Sequence, residues 1–331
     1  METLILITIF ISFFSTFLIL PLWIKRARSE KMTGKDMNKV DKREIAEGGG
    51  VNVLFGVSIG ILLYIALETF YFHQNKNIIS IFAMLSVLFI ASTVGILDDL
   101  LGWKKGLSKK IRLFVIFFAA IPLMVINAGT STMVIPFLGA VNFGLLYPLL
   151  IIPLGVLGAT TTFNFLAGYN GLEASQGILI LSALAYVTYV TGNSWLSVIA
   201  LCMVASLFAF YIFNKYPAKI FPGDALTYSV GALIASIAIL GNIEKIAVFF
   251  FIPYIIEVVL KVRGKLEKES FAKVNPDGSL SMPYNKIYGL EHLAIYILKK
   301  IKPSKKAYES DVVYLINGFQ IFVIILGLLF L

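Results

Sequence analysis

The chain of 331 residues is 58% hydrophobic and only 14% charged, with a net charge of +9 and a mean hydropathy of +0.87. Soluble globular domains carry about 25% charged residues, so a soluble fold is excluded. The basic excess points to anionic lipid headgroups and phosphorylated substrates rather than to nucleic acid. One cysteine and two histidines supply neither a disulfide framework nor a zinc site.

A window of about 19 residues resolves ten apolar segments, near 3–23, 50–70, 78–97, 111–129, 142–158, 174–191, 195–213, 225–240, 244–260 and 311–331. They consume most of the chain and leave one polytopic domain over 1–331, an all-α integral membrane bundle of about ten transmembrane helices. The first segment lacks a small-residue cleavage site and runs through Pro21-Leu22-Trp23-Ile24 into Lys25 and Arg26, the pattern of a retained helix. Of the 28 lysines and arginines, 26 fall in the odd-numbered connections, and the even ones hold only Lys76 and Lys245. The positive-inside rule then puts the odd connections in the cytosol and both termini on the non-cytosolic side. Every motif with chemical content lies in an odd connection, which predicts an active site on the cytosolic face.

The first cytosolic loop ends in Glu47-Gly48-Gly49-Gly50, read either as close approach of backbone to a neighbour or as a flexible turn. The second begins with Asp98-Asp99, carboxylates at the end of an apolar helix. They could hold a divalent ion, orient a basic group or accept a proton, and at about 100° apart they do not share one task. Lys109 and Lys110 follow, either to meet a phosphate or as a positive flank. The third loop has no basic residue but is rich in amides, from Asn164 through Asn170 to Glu173, groups that can ligate a hard cation or read a base edge. Glu173 also suits a helix N-terminus. In the fourth, Phe221-Pro222-Gly223-Asp224 sets an aromatic face beside a carboxylate that is either an N-cap or a metal ligand. The fifth, 261–310, is too polar to enter the membrane. Asn275-Pro276-Asp277-Gly278 predicts a hairpin near 271–284, and 287–300 predicts an interfacial amphipathic helix.

The order Asp98-Asp99, Gly106-Leu107-Ser108, Asn164 to Ala174 and Phe221-Pro222-Gly223-Asp224 resembles the polyprenyl-phosphate N-acetylhexosamine-1-phosphate transferases, over about residues 25–290. Ala167 and Asn170 stand where the bacterial branch usually carries aspartates, so the chain looks more like the dolichyl-phosphate GlcNAc-phosphotransferase branch. The resemblance implies transfer of a HexNAc-1-phosphate, most simply GlcNAc-1-phosphate, from a UDP-sugar to a polyprenyl or dolichyl phosphate with release of UMP. This is the first membrane step of N-glycan-type assembly. It further implies that Asn164 and Asp224 ligate Mg²⁺, with Mn²⁺ as a substitute. Phe221 would stack on uracil, Asn170 would hydrogen-bond its edge, and Glu173 would organise the nucleotide pocket. Asp98 would act on the lipid phosphate, Asp99 would support the site and Lys110 would neutralise phosphate charge. Relatives carry an Arg and His cluster in the fifth loop, where this chain has Arg263, Lys265 and Lys268.

The expected partners are the UDP-sugar, the lipid phosphate, membrane lipids and a second copy of the chain as a homodimer. The expected location is the plasma membrane of a prokaryote or archaeon, or the ER membrane of a eukaryote. The rival readings are a phospho-MurNAc-pentapeptide or polysaccharide-initiating transferase of the bacterial type, and a polytopic transporter. Transporters place ionisable groups in mid-span, whereas Glu68 and Glu257 fall near span ends.

Overall fold

The computed structural model describes residues 3–101, 106–135 and 139–329. Within them the helices are α1 (Thr3–Ser29), α2 (Gly49–Phe70), α3 (Ile78–Leu101), α4 (Lys109–Ala119), α5 (Ile121–Val125), α6 (Ile152–Phe165, entered through a π-helical turn Tyr147–Ile151), α7 (Leu172–Val190), α8 (Ser194–Asn214), α9 (Gly223–Gly241), α10 (Glu244–Phe250), α11 (Ile252–Arg263), α12 (Leu290–Ile301) and α13 (Glu309–Leu328). Three antiparallel hairpins complete the described structure: β1 (Thr33–Lys35) with β2 (Glu44–Ala46), β3 (Thr132–Ile135) with β4 (Gly139–Asn142), and β5 (Lys273–Val274) with β6 (Leu280–Ser281). Trp103, Lys104 and Lys105 of the second loop lie outside the described residues.

Among the described residues, eight helices are long and apolar enough to cross a membrane: α1, α2, α3, α6 with its π turn, α7, α8, α9 and α13. The other two expected spans, 111–129 and 244–260, are each broken into a pair of shorter helices. The breaks fall at Ala120 and Phe251, just before Pro122 and Pro253. A proline has no N–H for the preceding turn and is accommodated only where a new helix starts. The hydropathy window sees composition and is blind to such a break.

At the centre stands α9, packed against α2, α3, α6 and α7. Its side chains from Ala225 to Ala238 are buried, as expected of a helix that is apolar on every face. The connections sort to opposite ends of the bundle. At one end Asn38 donates to the Gly168 carbonyl at 3.0 Å, the Ala272 N–H donates to Asn38 at 3.2 Å, and Lys109 reaches the Leu266 carbonyl at 2.9 Å. First, second, third and fifth loops therefore meet there. At the other end Tyr147 bonds to Glu244 and Asn193 to the Gly241 carbonyl. The fifth loop carries the β5–β6 hairpin, whose turn closes with Gly278 N–H on the Asn275 carbonyl at 2.9 Å, and the amphipathic α12, which buries Leu290, Ala294 and Ile295 while exposing Tyr296 and Ile301.

Candidate active site

The site is built on the N-terminus of α9. The strand-like segment before it pairs with β2: Ala46 and Ile220 form a parallel bridge, and the Phe221 N–H donates to the Ala46 carbonyl at 2.7 Å. The start of α2 then closes on it, with Gly49 N–H on the Phe221 carbonyl at 3.0 Å and Gly50 N–H on the Pro222 carbonyl at 2.8 Å. A Cβ on Gly50 would lie 2.3 Å from the Leu226 nitrogen, and one on Gly95 of α3 would lie 2.5 Å from the Ala225 nitrogen. No side chain fits at either position, so the glycine triplet serves close backbone approach. Asp99 completes the enclosure by accepting the Asp224 and Ala225 N–H groups at 2.9 and 3.4 Å. It supplies from a neighbouring helix the acceptor that an N-cap would otherwise give. Asp224 itself lies within the first turn, after Pro222 as N-cap residue.

Beside it, Asp98 accepts the Leu107 N–H at 2.7 Å and pairs with Arg112 Nη1 at 2.9 Å. The same Nη1 faces Asp224 at 3.4 Å. The Tyr228 hydroxyl, one turn along α9 from Asp224, lies against the Asn164 and Arg112 side chains. Asp98 and Asp99 of α3, Asn164 of α6 and Asp224 of α9 are thus brought together from three different segments. Lys110 is not among them: it is exposed, and Arg112, two positions on and about 200° around the helix, occupies the place between the carboxylates. Sequence reading passed over Arg112 and Tyr228. A signal for Arg112 existed, since an arginine inside the apolar segment 111–129 is costly unless it has partners.

Asp98 and Asp224 share the Arg112 guanidinium, Asp99 is held by the first N–H groups of α9, and Glu47 adds to the negative field. Burial and the nearby Asp99 charge push the Glu47 carboxyl up from its ordinary value. Asp98 and Asp99 are each held by backbone N–H groups, whereas Asp224 meets Arg112 only at the edge of hydrogen-bonding distance. Among the described residues no three His, Cys, Asp or Glu side chains gather as metal ligands, and the oxygen donors that a hard divalent cation would use here are Asp224 and Asn164.

The remaining predicted residues are distributed as follows. Phe221 is partly exposed with its backbone fixed by β2 and α2. Glu173 is 4% exposed, accepts the Gly168 N–H at 2.8 Å, and leaves its second oxygen without a hydrogen-bond partner. Asn170 is buried, and its amide bonds to Asp36, Glu309 and the Ala218 backbone. Arg263, Lys265 and Lys268 are exposed. Arg263 lies over the Tyr288 ring and Lys268 over the Tyr284 ring, and none of the three forms an ion pair among the described residues.

Residues 81–242 match the family described as Glycosyl transferase family 4. A Saccharolobus solfataricus protein with the provisional name UDP-N-acetylglucosamine–dolichyl-phosphate N-acetylglucosaminephosphotransferase is 39% identical over 293 residues, 88% of either chain. A Sulfolobus acidocaldarius protein of the same provisional name is 33% identical over 98% of this chain and 96% of its own. The Dictyostelium discoideum enzyme of that name is 27% identical over 75% of this chain and 69% of its own. The chain belongs to this family of polyprenyl-phosphate N-acetylhexosamine-1-phosphate transferases. The aspartates of α3, the asparagine ending α6 and the aspartate opening α9 fall within or beside the span matched by the family.

Proposed function

We propose that this transferase moves GlcNAc-1-phosphate from UDP-GlcNAc to a dolichyl-type polyprenyl phosphate and releases UMP. The observation that carries the reading is Arg112 set between Asp98 and Asp224 at the N-terminus of the buried α9. The names of the relatives point to the same substrates. Ala167 and Asn170, where the bacterial branch carries aspartates, favour the dolichyl-phosphate branch over the peptidoglycan one.

The chemical problem is like-charge repulsion between a lipid phosphate and a diphosphate. Asn164 and Asp224 would hold Mg²⁺, or Mn²⁺ in its place, and the bound ion would neutralise the diphosphate oxygens and stabilise the departing UMP. Arg112 takes the role that the resemblance gave to Lys110: held through Nη1 by Asp98, it keeps further N–H groups for the oxygens of the incoming phosphate. That phosphate has its second pKa near 6 and attacks already ionised, so no strong base is required. Asp98, fixed by the Leu107 N–H and by Arg112, orients the nucleophile instead of deprotonating it. Asp99 holds the start of α9 and so sets where Asp224 stands. Phe221 offers its face to uracil, Asn170 its amide oxygen to the edge, and Glu173 supports the third loop through Gly168. Arg263, Lys265 and Lys268, exposed at the start of the fifth loop, would meet the sugar.

The active end faces the cytosol, of the plasma membrane in a prokaryote or the ER in a eukaryote, and the enzyme works as a homodimer. UMP release from UDP-GlcNAc that depends on both Mg²⁺ and lipid phosphate is the expected result. No UMP under those conditions, with GlcNAc or any other UDP-HexNAc, would overturn the reaction. Cysteines introduced at Gln74 or Asn242 should label from outside and one at Lys273, exposed on the β5–β6 hairpin, from the cytosol.

A further inference from the structure

A second polar cluster lies at the same end of the bundle. Glu309, the first residue of α13, is 3% exposed and ion-pairs with Lys39, which also lies 3.7 Å from Asp36. Lys39 stands over the Tyr216 ring at 4.0 Å. Into this buried network runs the amide of Asn170. Its Nδ2 donates to Glu309 at 2.6 Å and to Asp36 at 3.1 Å, and its backbone N–H donates to Glu309 at 2.8 Å. Its Oδ1 accepts the Ala218 N–H at 2.9 Å.

The orientation of that amide is forced. Turned over, its oxygen would face two carboxylates and its NH₂ would face an N–H donor. Lys39 pairs with both carboxylates, and each of them accepts from the Asn170 amide. Both amide donors are consumed, and of the oxygen's two lone pairs one is taken by Ala218. A single acceptor site is what Asn170 has left. A cleft of about 320 Å³ lined by Lys39, Tyr216, Tyr308 and Glu309 opens beside the network.

We infer that Glu309, with Asp36, is a positioning residue that locks Asn170 as a hydrogen-bond acceptor and so selects a base carrying an N–H at its ring N3 position. The inference rests on the reading of Asn170 as a contact to the base. Uracil has that N–H. Cytosine has a bare acceptor nitrogen there and would face the Asn170 oxygen lone pair to lone pair. Base selectivity would then be set from the last span, more than a hundred positions along the chain from Asn170.

The test is competition by nucleoside monophosphates. On the wild-type enzyme UMP should inhibit at least tenfold more tightly than CMP, and UMP methylated at N3 should lose at least tenfold, about the value of one hydrogen bond whose partner is left unpaired. In Glu309→Gln, whose side chain can itself donate, the amide can turn, and the UMP to CMP ratio should narrow at least fivefold. Asp36→Asn should narrow it less. Equal inhibition by UMP and its N3-methyl derivative on the wild type overturns the inference even if neither variant folds. A folded Glu309→Gln enzyme with an unchanged ratio overturns it while leaving the uridine reading intact. A wild-type enzyme indifferent to UMP and CMP alike ends both.

Discussion

Two charged clusters sit at one end of this bundle and are built on opposite terms. In the Lys39–Glu309 pair the side chains are 9% and 2% exposed, and the surrounding carboxylates and amide are matched donor to acceptor. In the Arg112–Asp224 pair they are 26% and 25% exposed, and one guanidinium nitrogen is divided between two aspartates at unequal distances. A buried network whose charges are matched gives shape. An under-neutralised, half-open one gives a place for a cation and a charged substrate. The same residue types therefore divide into scaffold and reactive site by how completely their charge is matched.

The comparison is broken most severely at Lys39. Lys39→Ala leaves Glu309 and Asp36 buried without a counter-charge, and loss of one partner of a buried pair costs about 3–5 kcal/mol. Thermal unfolding in detergent should show it, and a melting point that does not move would mean the network is wet and dispensable. Next comes Asp224→Asn, nearly isosteric in the first turn of α9. Turnover should drop by about 10²–10³ while stability shifts by no more than about 1 kcal/mol. Retained Mg²⁺-dependent UMP release would place the metal elsewhere. Arg112→Ala should lower turnover by about 10², and Lys110→Ala, an exposed charge, should change it little. The opposite ranking would restore the phosphate role to Lys110. Smallest is Phe221→Ala: loss of an aromatic stack is worth about 1–3 kcal/mol, read as weaker inhibition by UMP with the Mg²⁺ dependence unaltered. Unchanged UMP inhibition would remove Phe221 from the base.

Most of the helices were legible because lipid-crossing segments are encoded by composition alone, and α2, α3, α7 and α9 fall close to the apolar segments that announce them. The breaks at Ala120 and Phe251 were missed because averaging over a window dilutes Pro122 and Pro253. Asp98, Asp99, Asn164 and Asp224 could be singled out as polar groups abutting spans. Their convergence depends on α3, α6 and α9 packing side by side, which no local pattern states. The resemblance pointed to Lys110 and not to Arg112, and it is helical phase that leaves Lys110 exposed and turns Arg112 toward Asp98 and Asp224. The buried role of Asp36, Lys39 and Glu309 was invisible for a different reason. Each looks like an ordinary loop charge until the first loop, the third loop and the last span are seen to meet.

The contacts of Gly50 and Gly95 with the start of α9 leave no clearance, since even a methyl group would fall 2.3 and 2.5 Å from backbone nitrogen. A helix gripped backbone to backbone on two sides cannot slide or roll to admit a substrate. The start of α9 is thereby a stationary post that gives the Asp224 carboxylate one address. Engineers seeking to vary this end of the bundle would do well to leave the post untouched and redesign the exposed residues of the fifth loop instead.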